Sequence, residues 1–258
     1  MSEAPSDSYR ERIEALDNVV RHCIVVSNAC AGIPSPTGAH YYASVLFTSL
    51  CTRAVSLGIL LPHSDWATKK LDHWDYSSVA GVVRSILEVR LAFFYLCSEP
   101  CSQEEWQCRW NLFNLHDCTS RIHLFENMPR GTEHLKGFNE QREELRTRLV
   151  GNSFFGGLPQ KERNKLLNGG NAYLSPLEEI AVRAGVELQT FRWLYKLFSS
   201  QVHGLPLSYY RMGEQNRGRG VHSESEEGYM SLCISFALTL LVATRDEMKT
   251  LFPVAKDV

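Results

Sequence analysis

The chain has 258 residues, 44% hydrophobic and 22% charged, with a formal net charge of -2. This is the balance of a soluble globular protein long enough for one large domain or two small ones. The near-neutral charge argues against broad electrostatic attachment to nucleic acid and leaves room only for a local basic pocket.

The opening, M-S-E-A-P-S-D-S, lacks the basic-then-apolar pattern of a signal peptide. A first predicted helix starts at Ser8, where S-Y-R-E reads as a capping box, and continues through Ile13, Leu16, Val20, Cys23 and Ile24. Gly32, Pro34 and Pro36 close it. A second long helix is expected over 39–61, ended by Pro62, with His40 and Arg53 as its polar residues. A polar connection with Trp66 and Trp74 leads to a third helix over 77–97. That helix is apolar almost all round, so Arg84 and Glu88 on it should be costly unless paired.

S-Q-E-E at 102–105 is a second capping box and opens a fourth helix, to about 126, with Trp106, Trp110 and Phe113 packing inward. The strongly charged stretch 132–149 reads as a peripheral helix. Residues 151–170 are irregular around a short helix at 159–167, and Pro176 opens another short helix at 177–183. A helix over 187–202 follows, then a polar, glycine-rich loop at 213–228 and a last helix at 229–251. The last apolar run falls short of the roughly 20 residues of a membrane span, so it is expected to be a buried core helix. The sequence shows no strand alternation and no repeat. The expected fold is all-α, a multi-helix bundle in one domain over 1–258: a helical core at 8–150, an irregular insertion at 151–175 and C-terminal helices at 176–252.

Eight cysteines (Cys23, Cys30, Cys51, Cys97, Cys101, Cys108, Cys118 and Cys233) form no C-x-x-C. They read as reduced, buried thiols in a cytoplasmic protein rather than as a disulfide framework. His116, Asp117, Cys118 and His123, and the pair Cys97 and Cys101, match no ligand spacing for zinc, and E-x-x-H is missing. No metal and no cofactor are expected. The glycine pairs lack a G-K-[ST] ending.

Two constellations carry chemistry. In Y-K-L-F-S-S-Q-V-H-G (195–204), Tyr195, Ser199 and His203 recur every four residues on one helical face, stopped by Gly204 and Pro206. In R-S-I-L-E (84–88), Arg84 and Glu88 have the same spacing. Packing these two helices together would bring the five residues into one cluster. One reading is metal-independent cleavage of RNA or another phosphoester. His203 is then general base or acid, Arg84 holds the phosphate, Glu88 orients it, and Ser199 and Tyr195 fix the imidazole or the substrate. The opposed reading is a structural polar network in a protein that binds a partner or ligand without turnover. A third reading comes from residues 177–198, where I-A-x-x-A-G-V-x-x-x-T-F resembles the helix-turn-helix of tetracycline-repressor-type regulators. Glu187 and Leu188 depart from that pattern, so no binding to duplex DNA is expected. The expected ligands are RNA or a small phosphorylated molecule; no membrane is expected, and a homodimer is compatible with the sequence.

The two blocks, with F-Y-L at 94–96, resemble the R-x-x-x-E and Y-x-x-x-S-x-x-x-H-G signatures of a bacterial family named only as domain of unknown function 5677. The resemblance covers about 40–245 and implies an all-helical fold. A looser similarity is to the helical HEPN ribonucleases, marked by R-x(4–6)-H near a helix end. Here the basic residue preceding His203 is Lys196, with six residues between, and the usual Arg-Asn pair is missing.

Overall fold

The computed structural model describes residues 5–129, 132–206, 208 and 218–256. Among these the chain forms ten α-helices and no strand. They are α1 (Asp7–Cys30), α2 (Gly38–Leu60), α3 (Tyr76–Phe93), α4 (Gln103–Glu126), α5 (Thr132–Val150), α6 (Ser153–Gly156), α7 (Gln160–Leu166), α8 (Leu177–Arg183), α9 (Leu188–Val202) and α10 (Glu224–Leu251). The fold is the all-α bundle that the helical periodicity implies. Part of the glycine-rich loop read at 213–228 lies outside the described residues.

Contacts divide the chain into two compact units, Met1–Ser98 with Ala181–Val258, and Glu99–Ile180. The helices at 103–150 therefore cluster with the segment up to 180, and the first three helices cluster with the C-terminal ones.

In the first unit α3 packs against α2, α9 and α10, and α1 packs against α2 and α10. Val79, Val83, Ile86, Leu87 and Leu91 of α3 meet an interior built from Phe47, Leu50 and Leu57 of α2 and Met230, Ile234, Ala237 and Leu241 of α10, all fully or almost fully buried. Helices α2 and α10 are both long and apolar enough to cross a membrane by length and composition, so α10 does not fall short of a span as its sequence run suggested. Each also lays a buried stripe against this core.

Several helix starts differ from the sequence reading. Ser6, not Ser8, caps α1 by accepting from the Tyr9 N–H at 3.2 Å. The earlier start puts Tyr9 in the first turn, fully buried, with its hydroxyl donating to the Pro62 carbonyl. Helix α10 begins at Glu224, inside the stretch read as loop, because Ser223 Oγ caps it by accepting from the Glu226 N–H at 3.2 Å. Glu226 is buried and its carboxylate accepts from the Tyr76 N–H at 3.2 Å and the Gly218 N–H at 2.7 Å. It thus satisfies one of the unpaired donors at the start of α3.

The charge buried on α3 is also not the expected one. Arg84 keeps 15% of its side chain exposed and Glu88 44%, whereas Arg90 is 2% exposed. Arg90 forms a two-pronged ion pair with Glu247 of α10, at 2.8 and 2.5 Å. Ser98, at the end of the π-helical turn Phe94–Ser98, donates to the same carboxylate at 2.5 Å.

In the second unit the interior is a stripe of Cys108, Leu112, Leu115, Cys118 and Ile122 on α4, met by Leu145 and Leu149 of α5, Phe155 of α6 and Leu166 of α7. Trp106, Trp110 and Phe113, expected to pack inward, are only part-buried. They lie off the stripe that the small thiols and leucines occupy.

All eight cysteines are free, and only Cys101 is not buried. Burial pushes the thiols of Cys23, Cys51 and Cys108 up to about 12 and those of Cys97 and Cys233 higher still. The Cys101 thiol is raised as well, chiefly by burial, with Arg109 opposing the rise. A disulfide reagent added to native protein at mildly alkaline pH should therefore modify Cys101, the one thiol that is not buried, first and the other thiols only on unfolding. Rapid reaction at several thiols would contradict this burial pattern.

Candidate functional site

Helix α3 is not apolar all round. Ser77, Gly81, Arg84 and Glu88 recur at helical spacing and form one small and polar stripe. Helix α9 packs along that stripe in the opposite direction. Ser77 Oγ donates to Gln201 Oε1 at 2.8 Å, and a Cβ on Gly81 would meet Val202 Cγ2 at an ordinary 3.7 Å.

Helix α9 is set by its two ends. Glu187 caps it, its carboxylate accepting from the Gln189 and Thr190 N–H groups at 2.8 and 2.6 Å. Phe191, Leu194 and Phe198 bury its inner face. At the C-terminus Gly204 takes the left-handed conformation, φ 56°, and the Leu205 N–H closes back onto the Ser200 carbonyl at 3.1 Å. This stop leaves His203 as the C-cap, exposed, above the polar stripe of α3.

Arg84 is the hub. Its Nε donates to Glu88 at 3.2 Å, one Nη to the Tyr195 hydroxyl at 3.1 Å and the other to His203 Nε2 at 3.3 Å. Its guanidinium also lies 4.7 Å from the centre of the Tyr195 ring, which in turn stacks on Phe191. A guanidinium can only donate, so His203 Nε2 is the acceptor and the ring carries its proton on Nδ1. Four of the five residues singled out in the sequence thus meet around one cation. Ser199 shares their face, but its hydroxyl donates to the Tyr195 carbonyl at 2.6 Å, so its proton is engaged by the backbone. Neither Arg84 nor His203 is sealed beneath aromatic rings.

The structure adds a second surface on α9. Leu188, Gln189, Arg192, Trp193, Lys196 and Leu197 line an open cavity of about 590 Å³. The turn before α9 has the shape its sequence suggested: Gly185 has φ 85°, the Val186 N–H reaches the Ala181 carbonyl at 2.9 Å, and Ala181 is fully buried.

The His and Cys groupings on α4 have other partners. His116 Nδ1 donates to the Gly169 carbonyl at 3.1 Å and Cys118 to the Phe138 carbonyl at 3.0 Å. Among the described residues no group of three or more His, Cys, Asp or Glu is placed to hold a metal ion.

The residues that sequence reasoning passed over are Arg90 with Glu247, Glu226, and Trp193. Arg90 could have been found from its spacing, since it falls on the Val79, Val83, Ile86 stripe where every other residue is apolar. Glu226 stands at the fourth position of an S-E-S-E run at 223–226, a helix-start pattern.

No curated protein and no solved structure matches this chain. The model of the Family of unknown function (DUF5677) matches residues 40–219, a span holding both the Arg84–Glu88 block and the Tyr195–His203 block. The chain belongs to that family.

Proposed function

We propose that the Arg84–Tyr195–His203 cluster cleaves phosphoester bonds in RNA without a metal ion. One observation carries this reading: an exposed imidazole meets a guanidinium at 3.3 Å, with Nε2 facing a group that can only donate. A phosphate-binding fork and a base thus occupy one spot. A phosphodiester arriving there takes the N–H bonds that Arg84 now gives to His203. The freed Nε2 removes the proton of the 2′-hydroxyl, the 2′-oxygen attacks phosphorus, and the bond to the 5′-oxygen breaks. The imidazolium hands the same proton to the leaving oxygen. Arg84 offsets the negative charge that grows on the phosphoryl oxygens, while Glu88 and Tyr195 hold its plane. The products are a 2′,3′-cyclic phosphate and a free 5′-hydroxyl. The departures from the HEPN pattern around Lys196 mean that this reading rests on the cluster and not on that similarity.

A second reading, binding without turnover, is favoured by the closure of the network. Three N–H groups of Arg84 already have partners within the protein. Incubation of a single-stranded oligoribonucleotide and its all-deoxy counterpart with the protein in excess chelator separates the two. Cleavage of the ribonucleotide alone, with cyclic-phosphate ends, is the expected result. Equal cutting of both strands rules out 2′-hydroxyl attack, and binding with no cutting leaves the non-catalytic reading.

A further inference from the structure

Helix α9 has an outward face that neither the bundle core nor the Arg84 cluster uses. Phe191, Leu194 and Phe198 supply its packing, yet Trp193 stands 54% exposed. Trp193 does not stand alone, because the part-buried Leu188 and Leu197 extend its apolar surface on the same helix. Lys196 is one turn on, also exposed, and both line the 590 Å³ cavity with Gln189 and the apolar Leu188 and Leu197. From Leu188 to Val202 the helix carries cations and no carboxylate, in a chain whose net charge is -2. Lys196 and His203 are seven residues apart and so lie within about 20° of each other around the helix. At a rise of 1.5 Å per residue, Trp193 is about 15 Å along the axis from His203.

We propose that this face is a track for single-stranded RNA, with a base stacked on Trp193 and the adjoining phosphate held by Lys196, leading the strand to His203. An exposed ring beside cations on one face is the chemistry that binds single strands with little regard to sequence. A duplex keeps its bases stacked inside and offers the ring nothing to stack on. The apolar walls suit a base and not a phosphate, and between the capping Glu187 and His203 the charged side chains of α9 are the cations Arg192 and Lys196. The track gives the proposed cleavage its substrate class, and in that respect it rests on the preceding reading; binding to it does not require turnover.

The test uses a fluorescent, uncleavable probe, an eight-nucleotide all-2′-O-methyl oligouridine, with binding read by anisotropy over a range of salt. Trp193→Ala should weaken binding about 5- to 150-fold, the effect of losing one stacked base, while Trp193→Phe keeps most of the affinity. Lys196→Gln should lower the salt slope by about one ion. Because Trp193 lies outside the core, both variants should melt as the wild type does. Wild-type affinity in Trp193→Ala overturns the track. So does tighter, steeply salt-dependent binding of duplex DNA through the same residue, which would make α8 and α9 a helix-turn-helix reader. If RNA is never cut but Trp193→Ala still loses the probe, the cleavage reading falls and the track stands.

Discussion

Glu247→Ala is expected to be the most damaging single substitution outside the apolar core. Its carboxylate takes both prongs of the Arg90 guanidinium, which is 2% exposed, and it also receives the Ser98 hydroxyl. Removing it leaves a cation in the interior without that counter-charge. Breaking a buried ion pair from one side costs about 3–5 kcal/mol. For a unit of this size that lowers the melting temperature by roughly 6–20 °C. The gentler Glu247→Gln keeps a carbonyl for one arm of the fork and should lose less. Replacing both partners with apolar side chains, Arg90→Met with Glu247→Leu, should recover much of the loss, because no charge is then buried alone. A thermal melt of the three variants decides the matter. A Glu247→Ala midpoint within about a degree of wild type, against the shift that a broken buried pair implies, would mean that Arg90 finds other company.

Much of the architecture was legible because the helices of the first unit bury one face each and carry their own stop signals. Gly204 there, and Ser102 in the second unit, mark boundaries by backbone chemistry that needs no tertiary information. What was not legible is the partner that each polar residue meets. Arg84 and Arg90 are both arginines on α3, six residues apart, and taking the helix as apolar on nearly every face made the first look buried, although the Val79, Val83, Ile86 stripe runs through the second. The answer depends on what faces them: Glu247 comes from 157 positions away in the chain and closes over Arg90. His203 comes from 119 positions away and leaves Arg84 part-open. The meeting of Arg84 with Tyr195 and His203 was accessible from sequence because both stripes are set by four-residue spacing on single helices. The role of Ser199 was not, since a helical serine can bond its own backbone as easily as a neighbour. Trp193 was passed over because an aromatic residue on a helix reads as core until the rest of the helix is seen to supply the packing.

His203→Ala carries the largest expected effect on activity. The residue is an exposed C-cap, and the helix end behind it is held by Gly204 and the Leu205–Ser200 bond, so its loss should leave the melting temperature close to wild type. Its imidazole, however, supplies the lone pair that takes the 2′-hydroxyl proton in the proposed reaction. Losing a general base slows the chemical step about 10²- to 10⁴-fold. Arg84→Ala should act differently, weakening substrate binding as well as slowing the step, because the guanidinium both holds the phosphate and offsets its charge. The most direct measurement is single-turnover cleavage of a short single-stranded RNA in excess chelator, by wild-type protein and His203→Ala side by side, with a thermal melt of each. The expected result is cyclic-phosphate product from the wild type, a rate lower by about 10²- to 10⁴-fold in the variant, and matching melts. Equal rates in the two proteins, no cleavage by the wild type, or a clear fall in the variant's melting temperature would contradict a catalytic His203.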